Sequence, residues 1–436
     1  MTPRLLATGP ANYLSVTHLQ WAVGAGFFHS EELALALPGG SYRRLLGLVY
    51  DCGSNRSRAV VEREVLSFKA RQGNQLDLLF ISHFDKDHVS GLPIFAQHQI
   101  GFRQVIAPLL TPGERLIAFA RTVTPPDLGT SPPDPAFDEF FRQLTADPAE
   151  ALRAVAEQVE MVEPPAGELE GDTLIPEPLP ILDPPGEEGE DPTRDFKLVH
   201  RAQERAVQIA ISREDAQDLG IPIWEFRYHV LRKVSRQTPR FLARLAIELG
   251  MSYPDLARRL EDPKWILSLV TNSQNELRRS YDSLRGLGTR NDTSLCLYSG
   301  PAVARQSFSA WRSRAGHAHP ERPEVGCWNV LPGWLGAGDA PLVGAQEVQE
   351  FNMQFVARKS NVGYLALPHH GSRRNHNDLI FDGFDSPPNC VLGADGQYGH
   401  PHQEVLLSAA RRGSVATIVT NDVASRSVES CTIRFR

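Results

Sequence analysis

Four side chains that can bind a metal ion lie within six residues, in the segment His83-Phe-Asp85-Lys-Asp87-His88. The segment directly follows the apolar run 76–82. Imidazole and carboxylate groups are ligands of Zn²⁺ and of Mn²⁺-like ions. Carboxylates this close repel each other unless a cation lies between them. The segment therefore predicts a divalent metal site. The alternative is a polar loop that contains His and Asp by chance. It is disfavoured, because the spacing, the preceding apolar run and the following Gly91 would all have to coincide.

The surrounding elements place this segment at the edge of a sheet. Residues 16–28 and 45–50 have extended, apolar character, and residues 58–70 have the apolar spacing of a helix. The continuous apolar run 76–82 is typical of a strand buried on both faces. Open α/β sheets bind ligands beyond the carboxyl ends of their strands, so the segment lies where an active site is expected.

The middle of the chain differs from both ends. Helices are expected at 135–144, 149–162, 239–250, 254–260 and 272–287, and a strand at 223–231. Residues 183–192 are rich in Pro, Gly and acidic residues and predict a loop. After residue 293, strands are expected at 294–298, 364–367, 391–392 and 416–420, with a helix at 403–412. The predicted organisation is an N-terminal half (1–99), a largely helical insertion (100–287) and a C-terminal half (288–436).

The composition is typical of a soluble globular protein, with 41% hydrophobic and 22% charged residues. The apolar runs are too short to span a bilayer, and the N-terminus lacks a signal-peptide pattern. We therefore expect a cytoplasmic protein without membrane contact. The five cysteines are scattered and form no CxxC pair, which argues against a disulfide framework and a thiolate zinc site.

Charge is distributed unevenly around a net value of −7, which argues against general nucleic-acid binding by the whole surface. Residues 147–195 hold 15 acidic and two basic residues, for which solvation is the favoured interpretation over shielding of the site or mimicry of nucleic acid. Residues 227–290 hold 13 basic and six acidic residues. They either form a basic face for phosphates or are solvated helix surface.

The motif around residue 85 resembles the metallo-β-lactamase signature HxHxDH, here in the form HxDxDH. This form, followed by an apolar residue and Gly-Leu, is most similar to the hydrolase domain of the ComEC/Rec2 competence proteins. Further motifs of that domain follow in order: Val23-Gly24-Ala-Gly26, Tyr50-Asp51-Cys-Gly53, Asn291-Asp-Thr-Ser294, Gly338-Asp339, Leu367-Pro-His369-His370-Gly371-Ser372 and Tyr398-Gly-His400-Pro401. The resemblance covers roughly residues 15–98 and 288–425. It implies an αββα sandwich with a large, mostly helical insertion and with metals at one edge.

Carried over to this sequence, the resemblance implies one or two divalent ions, Zn²⁺ or Mn²⁺. His83 and Asp85 would hold one ion and Asp87 and His88 the other. Asp339 would bridge them, because a carboxylate can offer one oxygen to each ion. The alternative for Asp339 is a turn-forming Gly-Asp pair.

Three later histidines complete the expected site. His400 is the preferred late ligand, with a helix-entry residue before Pro401 as its alternative. Either His369 or His370 would ligate metal or donate a proton to the leaving group, and the alternative for one of them is that it only stabilises the loop. The two roles stay open, because neighbours in a strand point in opposite directions.

The sequence departs from the family pattern at several points. The candidates for a further ligand histidine, His200, His229, His317 and His319, lie in no recognisable motif and are expected to be structural. The first metal position would then lack a ligand, which favours weak binding of one metal or Mn²⁺ over Zn²⁺. Phe27 stands where the competence proteins usually have an acidic residue. Arg373 and Arg374 follow the HHGS motif and either bind a substrate phosphate bidentately or lie in a solvated loop.

The resemblance favours a phosphodiesterase or nuclease that uses a metal-activated water on a nucleic acid or nucleotide. Asp87 would orient that water. This is an argument by fold analogy, and the same fold hosts other chemistries. A hydrolase of a small ester, thioester or lactam is one alternative. A non-catalytic, metal-stabilised interaction subunit is another, and the insertion could then bind a protein partner.

Overall fold

The computed structural model describes residues 13–36, 42–123, 134–164, 196–201, 204–211, 221–232, 237–284, 293–313 and 330–435. The predicted loop at 183–192 lies outside these ranges. The described strands are β1 (Tyr13–Gln20), β2 (Phe28–Ala36), β3 (Tyr42–Cys52), β4 (Gln75–Phe80), β5 (Gly101–Pro108), β6 (Ala156–Val162), β7 (Phe196–Arg201), β8 (Ala206–Ile211), β9 (Ile221–Arg232), β10 (Thr293–Pro301), β11 (Phe308–Ser313), β12 (Gly333–Gly336), β13 (Val362–Ala366), β14 (Asn389–Gly393), β15 (Ala416–Val419) and β16 (Ser427–Phe435).

These strands form two eight-stranded sheets. The first sheet has the order β11-β16-β1-β2-β3-β4-β5-β6, and the second has the order β15-β14-β13-β12-β10-β9-β8-β7. Alternate residues of each strand, such as Leu14 and Val16 of β1, point into the space between the sheets. There they pack with apolar residues of the second sheet, including Phe226, Leu297 and Trp334, so one core joins the two sheets face to face.

Helices cover the outer faces of both sheets. They are α1 (Arg58–Gln72), α2 (Lys86–Val89), α3 (Leu92–Gln97), α4 (Pro112–Val123), α5 (Pro135–Ala146), α6 (Pro148–Leu152), α7 (Gln237–Glu248), α8 (Tyr253–Arg259), α9 (Pro263–Asn272), α10 (Gln274–Asp282), α11 (Ala345–Phe355) and α12 (Gln403–Arg411). Apolar residues of α1, α3, α4, α5 and α7 to α10 share a core with the first sheet, and those of α11 and α12 with the second. The predicted αββα sandwich is confirmed. None of the described helices is both long and apolar enough to cross a membrane.

Most elements predicted outside the middle stretch correspond to observed ones. Within that stretch, the predicted strand corresponds to β9, and four of the predicted helices correspond to α5, α7, α8 and α10. The helix predicted at 149–162 is wrong after its first turn. Helix α6 ends at Leu152, and β6 then pairs in parallel with β5 from Ala156 to Val162. The apolar spacing of residues 156–162 suits a helix as well as a strand. Hydrogen bonding to β5 at the edge of the sheet makes this segment a strand. The sequence analysis also missed α11, β11, β12 and β16.

The middle stretch, predicted as a largely helical insertion, contains both helices and strands in its described part. Helices α4 to α10 pack outside the first sheet, whereas β5 and β6 extend that sheet and β7 to β9 extend the second. The described part of this stretch therefore contributes to both sheets. The domain boundaries at 99/100 and 287/288 stay predictions.

A buried polar network lies between the sheets. The His18 Nε2 atom is 2.9 Å from the carbonyl oxygen of Pro332, which can only accept, so this nitrogen carries a hydrogen. The His18 Nδ1 atom lies 3.1 Å from Glu31 Oε1, and His29 Nε2 lies 3.2 Å from the same oxygen. Ser299 Oγ donates to Glu31 Oε2 at 2.5 Å. These contacts place the buried carboxylate of Glu31 between two imidazoles and one hydroxyl donor. Burial raises the pKa of Glu31, but His18 and His29 outweigh it and lower the pKa to about 2.

Replacing Glu31 with Gln should destabilise the fold, because it leaves the buried ring nitrogens of His18 and His29 without the carboxylate that they face. We expect Glu31→Gln to lower the free energy of unfolding at pH 7 by about 3–5 kcal/mol, measured by urea denaturation. A depressed carboxyl pKa contributes stability above the unfolded value of about 4.3, and this contribution is lost as the pH falls toward 2. The difference from wild type should therefore shrink in acid. The control is Glu32→Gln, on the opposite face of β2 and half-buried. Equal effects of the two substitutions at pH 7 would contradict this account.

Candidate metal centre

The predicted ligands lie on loops that follow the carboxyl ends of strands in both sheets. The segment 83–88 follows β4 and runs into the short helix α2. The Gly338-Asp339 pair follows β12, the His369-His370 pair follows β13, and His400 follows β14. Since β12, β13 and β14 are parallel, their loops emerge at one edge of the second sheet. The sandwich brings this edge to the end of β4.

Among the described residues, three groups of potential ligands lie at this site: two share Asp339, and the third joins Asp87 with His83 and His88. In the first group, His83 Nε2 lies 3.4 Å from Asp339 Oδ2 and 3.5 Å from Asp85 Oδ2. In the second group, His88 Nε2 lies 3.3 Å from Asp339 Oδ1, and His370 also belongs to this group. The ligand atoms within each group are within 4.8 Å of one another. The carboxylate of Asp339 thus offers a different oxygen to each group.

The spacing of these atoms fits a bound metal ion. Nitrogen and oxygen ligands about 2.05 Å from a tetrahedral ion lie about 3.3 Å apart, longer than a strong charge-assisted hydrogen bond. The contacts of Asp339 with both histidines have this length. In addition, the Nε2 atoms of His83 and His88 are buried and have no hydrogen-bond partner among the residues that the structure describes. Buried polar atoms rarely stay without a partner, so the donor set suits a divalent cation.

Asp51 and Ser82 orient both imidazoles of the motif. Asp51 Oδ1 accepts from the Ser82 backbone N–H at 2.7 Å, and Oδ2 accepts from Ser82 Oγ at 2.6 Å. The same Oδ2 lies 2.8 Å from His88 Nδ1. Because the Ser82 hydroxyl hydrogen is donated to Asp51, Ser82 Oγ accepts a hydrogen bond from His83 Nδ1 at 2.9 Å. Both histidines therefore hold a hydrogen on Nδ1 and present Nε2 to the site, as metal-binding histidines do.

Two glycines allow the loops to approach each other. A Cβ on Gly53 would lie 2.6 Å from the backbone of Asp87 and His88, so only Gly lets the end of β3 contact the motif. Gly338 has φ +54°, and a Cβ there would lie 2.6 Å from Ser82 Cβ. These contacts hold Asp339 against the motif.

Electrostatics in the site reflect crowded carboxylates. Burial and the neighbouring His88 lower the pKa of His83, but Asp339 and Asp85 outweigh them and raise the pKa to about 9. Burial raises the pKa of Asp339, but His369 and His83 hold it well below its usual range. The positive charge that the carboxylates need is thus supplied by a protonated imidazole. A divalent cation could supply the same positive charge.

The prediction that His369 and His370 point in opposite directions, because they continue a strand, is wrong. They lie in a turn after β13 with left-handed backbone, at φ 47° and 54°. His369 Nδ1 lies 3.3 Å from Asp339 Oδ2, and His370 Nε2 lies 3.2 Å from Asp87 Oδ2. Both side chains therefore face the carboxylates of the site. They differ in exposure, with 24% of the His369 side chain exposed and 6% of that of His370.

The remaining predicted residues lie farther out. The His400 ring is half-buried beside the His369 ring, with 5.5 Å between the centroids, and belongs to neither ligand group among the described residues. Burial and the neighbouring histidines lower its pKa to about 3. Arg373 and Arg374 are exposed, and the Arg373 guanidinium pairs with Glu404 at 3.1 Å.

The candidate extra histidines do not reach the site where they are described. His229 Nε2 is paired with Glu350 at 2.9 Å. The side chain of His200 and all of residues 317 and 319 lie outside the described part of the chain.

Two residues of the site were not predicted from the sequence. Asp51 lies in a motif that the resemblance contains, and its place at the end of a buried strand was the available signal. Arg121 of α4 contacts Asp85 Oδ1 through Nη2 at 2.9 Å. It lies 36 residues from Asp85 on a separate helix, and no local pattern marks it.

One segment of the chain matches a known protein family. No curated protein matches the chain. The crystal structure of a long form RNase Z from yeast is similar, with 8% sequence identity and a TM-score of 0.32, over 87% of this chain and 37% of that one. A similarity this low carries no information on activity. Residues 47–146, which contain the HxDxDH motif, match the Metallo-beta-lactamase superfamily. Together with the two stacked sheets and their outer helices, this match identifies the fold as that of the metallo-β-lactamase superfamily.

Proposed function

We propose that the protein is a metal-dependent hydrolase that cleaves phosphodiester bonds with a metal-activated water. The observation that carries this proposal is Asp339, whose two oxygens face separate groups of buried ligands. Such an arrangement would suit two divalent ions, Zn²⁺ or Mn²⁺, which would supply the charge that phosphoryl chemistry needs. The contact of Arg121 with Asp85 leaves the other Asp85 oxygen for the first ion.

Each residue near the two groups has a proposed role. His83, Asp85 and Asp339 would hold the first ion, and His88, Asp339 and His370 would hold the second. A bound divalent ion lowers the pKa of its water toward about 7 and polarises the scissile bond.

The residues around these groups would then handle the protons. Asp87, 14% exposed, orients the attacking water through a carboxylate oxygen. His369 has Nδ1 beside Asp339, which leaves Nε2 as the atom that donates a proton to the departing oxygen. His400, the predicted late ligand, would either contact the substrate next to His369 or act as a further ligand of the second ion.

The substrate assignment rests on the resemblance of the motifs to the ComEC/Rec2 hydrolase domain, which stays a prediction. A nucleic acid or nucleotide is the proposed substrate class, in a cytoplasmic protein. The described part of the middle stretch covers the first sheet beside the site, where it could also bind a protein partner. The alternatives are a hydrolase of a small ester, thioester or lactam, and a non-catalytic subunit that keeps the metal for folding.

Asp87→Ala should abolish metal-dependent hydrolysis. We expect wild type to cleave bis-p-nitrophenyl phosphate with Mn²⁺ or Zn²⁺, and Asp87→Ala to lose about 100-fold or more of kcat/KM, because the water loses its orienting carboxylate. Metal content by mass spectrometry accompanies the assay, and exposed Asp385→Ala is the control.

Three outcomes would contradict the proposal. If both proteins purify without metal and behave alike, the enzymatic function fails. Turnover of thioesters or lactams with none of phosphodiesters would favour the first alternative. Stable binding of a partner protein by an inactive wild type and by Asp87→Ala would favour the second.

The two neighbouring histidines should respond differently to substitution. We expect His370→Gln to lose metal, because His370 is buried among the ligands, whereas His369→Gln should keep its metal. His369→Gln should lower kcat by about 10²–10⁴-fold through loss of the proton donor. Metal content and kcat with Mn²⁺ measure the two effects separately. The assignment is reversed if His369→Gln is the variant that loses metal.

A further inference from the structure

Another group of potential metal ligands lies in the buried polar network between the two sheets. It consists of His18 of β1 and of His29 and Glu31 of β2, and their ligand atoms lie within 4.8 Å of one another. Among the described residues, this group shares no member with the three groups of the candidate metal centre. His18 lies directly opposite Glu31 across the antiparallel strand pair, so the two side chains project from the same face of the sheet. The three residues are therefore candidates for a separate metal site.

Only one of the two ring nitrogens of His18 is satisfied by a hydrogen bond among the described residues. The carbonyl oxygen of Pro332 accepts from Nε2, which therefore carries a hydrogen. The Nδ1 atom lies 3.1 Å from Glu31 Oε1, yet it has no hydrogen-bond partner in the part of the chain that the structure describes. Metal-binding histidines have this arrangement, in which a backbone carbonyl holds one ring nitrogen and the other nitrogen faces the ion. A cation bound by both atoms would explain why Nδ1 and the carboxylate oxygen are close without a hydrogen bond.

The distances around Glu31 Oε1 fit a shared ion. This oxygen lies 3.1 Å from His18 Nδ1 and 3.2 Å from His29 Nε2. Nitrogen and oxygen ligands about 2.05 Å from a tetrahedral ion lie about 3.3 Å apart. The other carboxylate oxygen, Oε2, accepts from the Ser299 hydroxyl, which leaves Oε1 for the ion. A hydrogen bond from His29 can satisfy Oε1 as well, but it leaves His18 Nδ1 without a partner among the described residues.

Gln20 of β1 offers a fourth donor on the same face of the sheet. It follows His18 by two residues and lies directly opposite His29 in the strand pair, so its side chain also projects between the sheets. Both polar atoms of its side-chain amide are buried and have no hydrogen-bond partner among the described residues. Buried polar atoms rarely stay without a partner. The amide oxygen of Gln20 is therefore available to complete a set of four ligands.

We propose that His18, His29 and Glu31 hold a structural Zn²⁺ ion between the two sheets, with the side-chain oxygen of Gln20 as the fourth ligand. Imidazole and carboxylate groups are ligands of Zn²⁺, and structural zinc sites have four protein ligands and no open position. All four side chains are buried, which leaves the ion closed to water and substrate. The proposal does not depend on the proposed hydrolytic function.

The proposed ion would connect the two sheets. Its ligands all lie on β1 and β2 of the first sheet, whereas the groups that orient them come from the second sheet. Ser299 of β10 donates to Glu31, and the Pro332 carbonyl just before β12 accepts from His18. Because such a site forms only when the sheets are packed, binding of the ion would contribute to the free energy of folding.

The first measurement is the zinc content of the purified wild-type chain after dialysis against EDTA, determined by mass spectrometry. We expect about one zinc ion per chain to remain, because a chelator reaches a site closed to solvent only when the protein unfolds. In guanidinium chloride, release of this zinc to a coloured chelator should coincide with the loss of the circular-dichroism signal. The proposal is overturned if the folded wild type keeps no zinc, or if the retained zinc leaves before the protein unfolds.

Substitution of single histidines assigns the retained zinc to its ligands. We expect His18→Gln to keep about one zinc ion per chain fewer than wild type after the same dialysis. The matched control is His229→Gln, because His229 is also a buried strand histidine, lies 2.9 Å from the carboxylate of Glu350 and belongs to no ligand group among the described residues. This control should keep the zinc. Equal zinc contents of His18→Gln and wild type would overturn the proposal.

The double variant His83→Gln/His88→Gln separates this site from the candidate metal centre. It removes at least one ligand from each group of that centre, so it should lose hydrolysis and still keep the EDTA-resistant zinc. Loss of that zinc from the folded double variant would overturn the proposal.

X-ray absorption at the zinc edge of EDTA-treated wild type decides the question even if a variant does not fold. We expect only nitrogen and oxygen ligands at about 2.0–2.1 Å, together with the scattering pattern of imidazole rings. A sulfur ligand at about 2.3 Å would assign the zinc to cysteine and overturn the proposal.

Discussion

Burial of several carboxylates around one small space is the constraint on which the rest of the site depends. Four acidic side chains converge there, and each lies beside a histidine or Arg121: Asp51, Asp85, Asp87 and Asp339. Charges taken out of water are costly unless they are paired. The histidines and Arg121 supply part of that pairing, and the spacing of the remaining atoms leaves places for divalent cations. The arrangement that pairs these carboxylates therefore also suits the proposed chemistry.

The site also depends on how the two sheets are joined. The Leu295 backbone N–H of β10 donates to Ser82 O at 2.8 Å, and the Tyr50 hydroxyl of β3 donates to Leu295 O at 2.7 Å. On the other side, Asn375 Nδ2 donates to Asp339 O at 3.0 Å. These bonds connect the loop of the motif to the second sheet, so the position of Asp339 relative to His83 follows from sheet packing.

The sequence predicted what is encoded locally. The HxDxDH motif holds four potential ligands in six residues after an apolar run, and both the strand and its polar end were recognisable. Asp339, His369 and His370 could be identified only from several weak motifs that occur in the expected order. The spacing of these residues in the sequence did not show that they come together in space. The directions of the His369 and His370 side chains depend on a left-handed backbone conformation. No residue pattern in that segment predicts this conformation. The Arg121–Asp85 contact joins separate elements, and β6 adopts its conformation through pairing with β5. Such features arise from tertiary contacts, which a single sequence does not display.

The position of β16 has a consequence for how the protein is made. This strand lies between β1 and β11 in the first sheet, and Thr17 contacts Ser430 across a sequence separation of 413 residues. Contacts so distant in sequence form slowly, because much of the chain must be ordered first. While the ribosome is still synthesising the last strands, one edge of β1 has no neighbour, and open edges invite pairing with other chains. Newly made polypeptides, or ones cut before residue 427, would thus be vulnerable to aggregation until β16 closes the sheet.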